Sequence, residues 1–188
     1  MIDMIIMITG SVGTGKTSLA EALARRLGFP LIRLSDAISR IPSKYNKKLR
    51  TREVDVAELG KWLAKETGGM RDFIVEGHMA CELELDADYV FVLRAHPDEL
   101  GKRLKARKYV KAKVDENVMA EALDYCLLKV EKKKNVFEID TTGRSAIRSA
   151  EEAMRIIEGR KRLFRKVSWS SWLHAATSPR PRAGRGTR

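Results

Sequence analysis

Residues 10–17 read GSVGTGKT, two glycines bracketing four residues and followed by a lysine and a hydroxyl. This is the pattern G-x-x-x-x-G-K-[ST], and its chemistry is the gripping of a polyphosphate. The main-chain N–H groups of Gly10, Ser11, Val12, Gly13, Thr14 and Gly15 can converge on phosphate oxygens. Lys16 supplies a point charge for the β- and γ-phosphates, the Thr17 hydroxyl suits Mg²⁺, and Ser18 continues the amide series. A glycine-rich turn alone would say little, so the flanks decide. The apolar run at 5–8 is too short for a helix and is predicted as a strand buried on both faces. After the motif, Leu19, Ala22, Leu23 and Leu27 recur at helical spacing. The loop therefore joins a strand to a helix, whose N-terminus adds about half an elementary positive charge.

Other candidates cluster at the ends of predicted elements. Residues 73–75 form a third strand that ends at Glu76-Gly77-His78. Parallel sheets bind ligands beyond the carboxyl ends of their strands. A carboxylate there, Glu76, can hold Mg²⁺ through water or orient an attacking water. His78 can align that water, or can serve only as a structural hydrogen-bonding group. Arg103 and Arg107 lie one helical turn apart on one face. Planar, permanently charged guanidinium groups suit phosphate contact and stacking, although Lys102, Lys105 and Lys108 beside them also fit a solvated basic face. Ser35 and Asp36 after the second strand, and Asp55 further on, are candidates for binding a monophosphate acceptor or for helix capping. Arg94, ending the fourth strand, is assigned to the acceptor side.

These residues must be held by a scaffold, and its period is legible. Residues 31–34 form a second strand. Residues 54–67 form a helix with Val56, Leu59, Trp62 and Leu63 inward, ended by Gly68-Gly69. Residues 89–93 are a fourth strand, and Pro97 opens a helix to about 108. Residues 117–134 read as one helix, 136–139 as the fifth strand, and 145–158 as a last helix stopped by Gly159. Strands alternating with helices predict an α/β fold: a five-stranded parallel sheet flanked on both faces. The length, 188 residues, fits one domain with an extension: 1–160, and a basic tail 161–188. The net charge is +12, eight units of which fall in that tail, so the body carries the remaining +4. Phe164, Val167, Trp169, Trp172 and Leu173 fit a short amphipathic piece, and disorder is expected from about residue 176. The tail reads either as a solvated run or as a nucleic-acid contact in which the tryptophans stack on bases. Cys81 and Cys126 lack metal or redox spacing, which predicts reduced thiols and a cytoplasmic location. Neither a signal peptide nor a membrane span is expected.

Beyond the phosphate-binding loop, the Ser35-Asp36 pair and the basic stretch at 103–107 resemble nucleoside monophosphate kinases of the adenylate kinase type. VEGH at 75–78, FVLRAHP at 91–97, RLKARKYVKAKVDENVMAE at 103–121 and Asp140-Thr141 are similar to one branch. This is the adenylate kinase isoenzyme 6 family, also called coilin-interacting nuclear ATPases. The resemblance covers roughly residues 4–158. It implies ATP and AMP as substrates, Mg²⁺ as cofactor and an acceptor-binding region over about 35–67. It also implies a short lid over 108–113, with Arg103 near adenine and Arg107 on the transferred phosphate. By the same resemblance, a small-subunit ribosomal protein and rRNA are partners in ribosome maturation. Lys108 stands where the family commonly has glycine, Glu76 replaces the usual aspartate, and no arginine follows the third strand. That last departure favours ATP hydrolysis over AMP phosphorylation. The expected activity is an Mg²⁺-dependent ATPase with adenylate kinase activity. The alternatives are a metabolic nucleotide kinase and a nucleotide-gated RNA- or protein-binding factor.

Overall fold

In the computed structural model, which describes residues 3–159 and 167–178, the first apolar run becomes β1 (Ile5–Gly10). It is followed by α1 (Lys16–Leu27) and β2 (Leu31–Arg33). A 3₁₀ turn, Leu34–Ser39, leads to an antiparallel hairpin, β3 (Ser43–Asn46) and β4 (Thr51–Val54). Next come α2 (Val56–Glu66), β5 (Phe73–Glu76) and a second 3₁₀ turn, His78–Glu82. The chain continues through β6 (Tyr89–Arg94), α3 (Pro97–Ala106), α4 (Lys111–Ala122) and α5 (Tyr125–Val130). It closes with β7 (Val136–Asp140), α6 (Ala146–Ile157) and α7 (Ser170–Thr177).

Five strands form one parallel sheet in the order β2-β5-β1-β6-β7. β1 lies at its centre, and Ile6, Met7 and Ile8 are fully buried. Successive side chains of a strand point to opposite faces, so Met7 packs with Val75, Val90 and Val92 against Leu59, Trp62 and Leu63 of α2. Ile6 and Ile8 pack with Ile74, Phe91 and Leu93 against Leu19 and Leu23 of α1 and Ala153 and Met154 of α6. The two-faced burial explains why these strands read as unbroken apolar runs. A smaller cluster of Ala95, Leu100, Leu104 and Val114 packs beside Val12 of the phosphate-binding loop.

Several expectations need correction. The predicted helix over 117–134 is two helices, α4 and α5, parted at Asp124, whose backbone is left-handed at φ 57°. No glycine or proline marks that break. Half of the expected lid over 108–113 is helix: Lys111 to Lys113 form the first turn of α4. Val56 opens α2 and is 36% exposed rather than inward. The β3–β4 hairpin went unpredicted because SKYN and TREV carry no apolar alternation. At the C-terminus, α7 runs to Thr177, and residues 160–166 and 179–188, including all eight basic residues assigned to the tail, lie outside the described residues. Among the described residues no helix is long and apolar enough to cross a membrane.

Arg94 is the largest correction. It does not face the acceptor side; it is 1% exposed. Its Nε donates to Glu121 Oε1 at 2.7 Å and its Nη1 to Glu138 Oε2 at 2.6 Å. Its Nη2 meets Asp124 and, at 3.2 Å, the Glu121 carbonyl. Burial alone would make the guanidinium easier to deprotonate, but Glu121 and Asp124 more than offset that and hold it charged. A buried cation is tolerated only when paired, so one residue fastens β6 to β7, α4 and α5.

Two stability changes are expected. Arg94→Met strands three carboxylates and should lower the unfolding free energy by about 3–5 kcal/mol in urea titrations at pH 7. Lys108, at φ 59°, occupies the left-handed position after α3, where the Lys108 and Tyr109 amides bond back to the carbonyls of Lys105 and Leu104. Lys108→Gly should raise stability by about 0.5–1 kcal/mol, because a side chain at a left-handed position is strained and glycine is not.

Candidate functional site

The loop between β1 and α1 is shaped by contacts that the sequence motif does not spell out. A Cβ on Gly10 would lie 2.4 Å from the Leu93 carbonyl oxygen, and Gly15, at φ 98°, caps the entry to α1. The Ser11 carbonyl accepts from Thr14 Oγ1 at 2.9 Å and from Lys16 Nζ at 3.0 Å. The ammonium has three donors, so the bond to this carbonyl aims the group and leaves N–H directions for phosphate oxygens. Lys16 is 8% exposed, and burial lowers its proton affinity while the nearby Glu76 and Glu121 charges raise it. The outer limb of the loop is tied to α4: Val12 N donates to Asn117 Oδ1 at 3.3 Å, and Ser11 Oγ to Glu121 Oε2 at 2.9 Å. Asn117 and Glu121 are both buried and one helical turn apart.

The next strand supplies the second group. Thr17 Oγ1 donates to Glu76 Oε1 at 3.2 Å. A hydroxyl beside a buried carboxylate is a hard oxygen pair, and it fits Mg²⁺, which takes one or two protein oxygens and leaves the rest to water and phosphate. Among the described residues there is no group of three or more histidine, cysteine or acidic side chains placed to hold a metal on their own. His78 Nδ1 lies 3.1 Å from the Gly10 carbonyl oxygen. A carbonyl can only accept, so Nδ1 carries the proton and Nε2 remains the ring's acceptor. The ring stacks on Tyr125 at 6.0 Å. The His78 carbonyl accepts from Thr9 Oγ1 and from Cys81 Sγ, both at 3.2 Å. The thiol of Cys126 lies 3.6 Å from Nδ1, and its hydrogen bond with Cys81, together with burial, keeps it protonated.

On the β6–β7 side, a cavity of about 230 Å³ is lined by Gly13, Thr14, Gly15 and Ser18 of the loop and by Arg103 and Arg107. Arg103 is braced by Thr141, donating to its carbonyl at 2.8 Å and its hydroxyl at 3.1 Å. On the β2 side, an open groove of about 590 Å³ is lined by Ser35, Ser39, Ser43 and Arg52, among others. Asp36 is exposed on the same 3₁₀ turn. Asp55 proves to be the cap of α2, its carboxylate accepting from the amides of Ala57 at 2.9 Å and Glu58 at 3.1 Å. The fold thus gathers Lys16, Thr17, Glu76, His78, Arg103 and Arg107 about the loop, leaves Ser35 in the groove beside β2, and removes Asp55 and Arg94 from the site. Asn117, Glu121 and Arg52 were missed. A signal for the first two did exist: a polar and an acidic residue on the helix face that also carries Val114, whose spacing puts them with the core.

Residues 6–124 match the family model described as an AAA domain. A protein named "Putative adenylate kinase" from Thermococcus gammatolerans is 40% identical over 171 residues, covering 89% of this chain and 93% of that one. One of the same name from Methanocaldococcus jannaschii is 33% identical over 169 residues, covering 89% and 93%. Among solved structures, deoxyadenosine kinase from M. mycoides with bound dATP superposes with a TM-score of 0.57 at 13% identity, covering 82% of this chain and all of that one. A gluconokinase from Sinorhizobium meliloti gives 0.54 at 14%, covering 85% and 96%. These structural likenesses speak to the fold.

Burial, and secondarily the Lys16 charge, push His78 below its ordinary value of 6.5. The unfolded chain therefore takes up this proton before the folded one does. The stability it contributes is complete above pH 6.5 and is lost as pH falls from there toward the lowered folded value. Urea midpoints measured from pH 7.5 to 5 should fall, and His78→Gln should flatten that part of the profile. An unchanged slope in the variant would assign the titration elsewhere.

Proposed function

Because the chain belongs to the P-loop family whose archaeal members are named "Putative adenylate kinase", we propose that it transfers the γ-phosphoryl group of Mg-ATP to AMP and hydrolyses ATP slowly when no acceptor is bound. The observation that carries this reading is the presence of two clefts on opposite sides of the strand that the loop follows. The loop follows the central strand. The cavity with Arg103 and Arg107 lies toward β6 and β7, and the groove with Ser35 and Arg52 lies toward β2. A phosphate chain held by the loop would run between a donor cleft and an acceptor cleft, the arrangement an in-line transfer needs. Arg52 also supplies a cation on the acceptor side, where no arginine directly follows β5.

The chain's own residues divide the work. Loop amides and Lys16 hold the β- and γ-phosphates. Thr17 and Glu76 would hold Mg²⁺, which when bound neutralises charge on the phosphates. Arg103, its guanidinium braced on Thr141, offers a flat face to the base, and Arg107 at the end of α3 is free to swing onto the transferred phosphoryl group. His78 Nε2 can accept a hydrogen bond from a water or an acceptor hydroxyl. The family resemblance extends the proposal to ribosome assembly, with a small-subunit ribosomal protein and rRNA as partners.

The test is turnover of ATP with and without AMP, with ADP and phosphate followed separately. ADP formed with AMP present should far exceed phosphate release. Lys16→Ala should reduce both by at least about a hundredfold, since it removes a charge aimed at the transferring group. Turnover unaffected by AMP would leave only the hydrolase, and turnover unaffected by Lys16→Ala would remove the loop from the mechanism.

A further inference from the structure

The carboxylate of Glu121 is 3% exposed and receives four donors from three parts of the chain. Oε1 accepts from Arg94 Nε at 2.7 Å, Ala95 N at 3.2 Å and Trp169 Nε1 at 3.0 Å. Oε2 accepts from Ser11 Oγ at 2.9 Å. Three donors converge on Oε1 and one on Oε2, so the orientation of the carboxylate is fixed by all four partners together. One partner belongs to the phosphate-binding loop and another to the C-terminal segment.

That segment is docked at several points. The Arg94 guanidinium carbon lies 5.9 Å from the Trp169 ring centre. His96 meets the same ring edge-on at 5.2 Å. Val167 N donates to Glu138 Oε1 at 3.2 Å, and Trp172 Nε1 to Asp98 Oδ1 at 2.8 Å. The indole of Trp169 thus covers the buried charge pair while its N–H completes the Glu121 shell.

We propose that Trp169 and Glu121 are positioning residues of the nucleotide site, the C-terminal segment acting as a strap that sets the phosphate-binding loop through the path Trp169–Glu121–Ser11. Ser11 is the residue through which such a strap would act. Its hydroxyl is held by Glu121, its carbonyl holds Lys16 and Thr14, and the next amide, Val12, is held by Asn117 from the same helix face. Loss of the indole donor lets the carboxylate turn and loosens the loop's outer limb. Phosphate would then be gripped less well in the ground state and the transition state alike, which raises KM and spares kcat.

This rests on the reading of the loop as a nucleotide site, and the experiment separates the two. Wild-type protein that turns over no nucleotide would defeat that reading. Given an active wild type, Trp169→Phe keeps an aromatic ring and removes the N–H, and it should raise KM for ATP by about three- to tenfold, the net worth of one ordinary hydrogen bond, since the effect reaches the phosphates only through Glu121 and Ser11, with kcat retained. Trp172→Phe, which removes a donor to the exposed Asp98, should leave KM unchanged. In a Ser11→Ala background the path is already cut, so Trp169→Phe should add nothing further. KM within about twofold of wild type in Trp169→Phe, a loss confined to kcat, or full additivity with Ser11→Ala would each overturn the strap. A measurement on the unaltered protein guards against misfolding of the variants. On addition of ATP the indole N–H resonance of Trp169, identified among the signals of the three tryptophans by its absence from Trp169→Phe, should shift, and a Trp169 signal that ignores ATP would overturn the proposal.

Discussion

A guanidinium taken out of water has to be met by charge and hydrogen bonds on nearly every side, and Arg94 meets this demand with three carboxylates drawn from α4, the α4–α5 junction and β7. Such a cluster earns little net stability, because desolvation consumes much of the Coulomb gain. Its value here lies in register. Glu121 can satisfy Arg94 only if α4 lies at one height against β6. At that height its second oxygen reaches Ser11, and Asn117, one turn earlier, reaches Val12. The orientation of the phosphate-binding loop is therefore set by a charge pair outside the loop.

The loop's inner limb is governed by backbone approach. Gly10 passes too close to Leu93 for any side chain, and the Gly10 carbonyl receives the His78 ring. β1 and β5 are hydrogen-bonded neighbours, with Ile8 opposite Glu76, so the residues that follow them, Thr17 at the start of α1 and Glu76 at the strand end, come within hydrogen-bond reach. The central position of β1 then leaves room for a cleft on either side. This supports a two-substrate transfer more directly than any single side chain does.

The left-handed residues Lys108 and Asp124 mark where the helical layer over this site turns. Neither is a glycine. At Lys108 a Schellman-type ending imposes the conformation, and at Asp124 the carboxylate's contact with Arg94 goes with it. The turn at Lys108 falls where the helix opened by Pro97 was expected to end, the turn at Asp124 divides the helix expected over 117–134, and α4 between them carries Asn117 and Glu121 to the phosphate-binding loop.

The sequence by itself determined the strands, because burial on both faces writes an unbroken apolar run at 5–8, 73–75 and 89–93. It also determined the loop from Gly10 to Thr17, because phosphate binding by main-chain amides needs those residue types at that spacing. Glu76 and His78 were legible for the same local reason: they end a buried strand. Only the tertiary structure decided what Arg94, Asp55, Asn117, Glu121 and Trp169 touch. An arginine at a strand end looks the same whether it meets a ligand or three distant carboxylates. An aspartate before a helix likewise looks the same whether it binds or caps. Ser11 and Glu121 are 110 residues apart in the chain, and no periodicity in a sequence encodes a hydrogen bond across that separation.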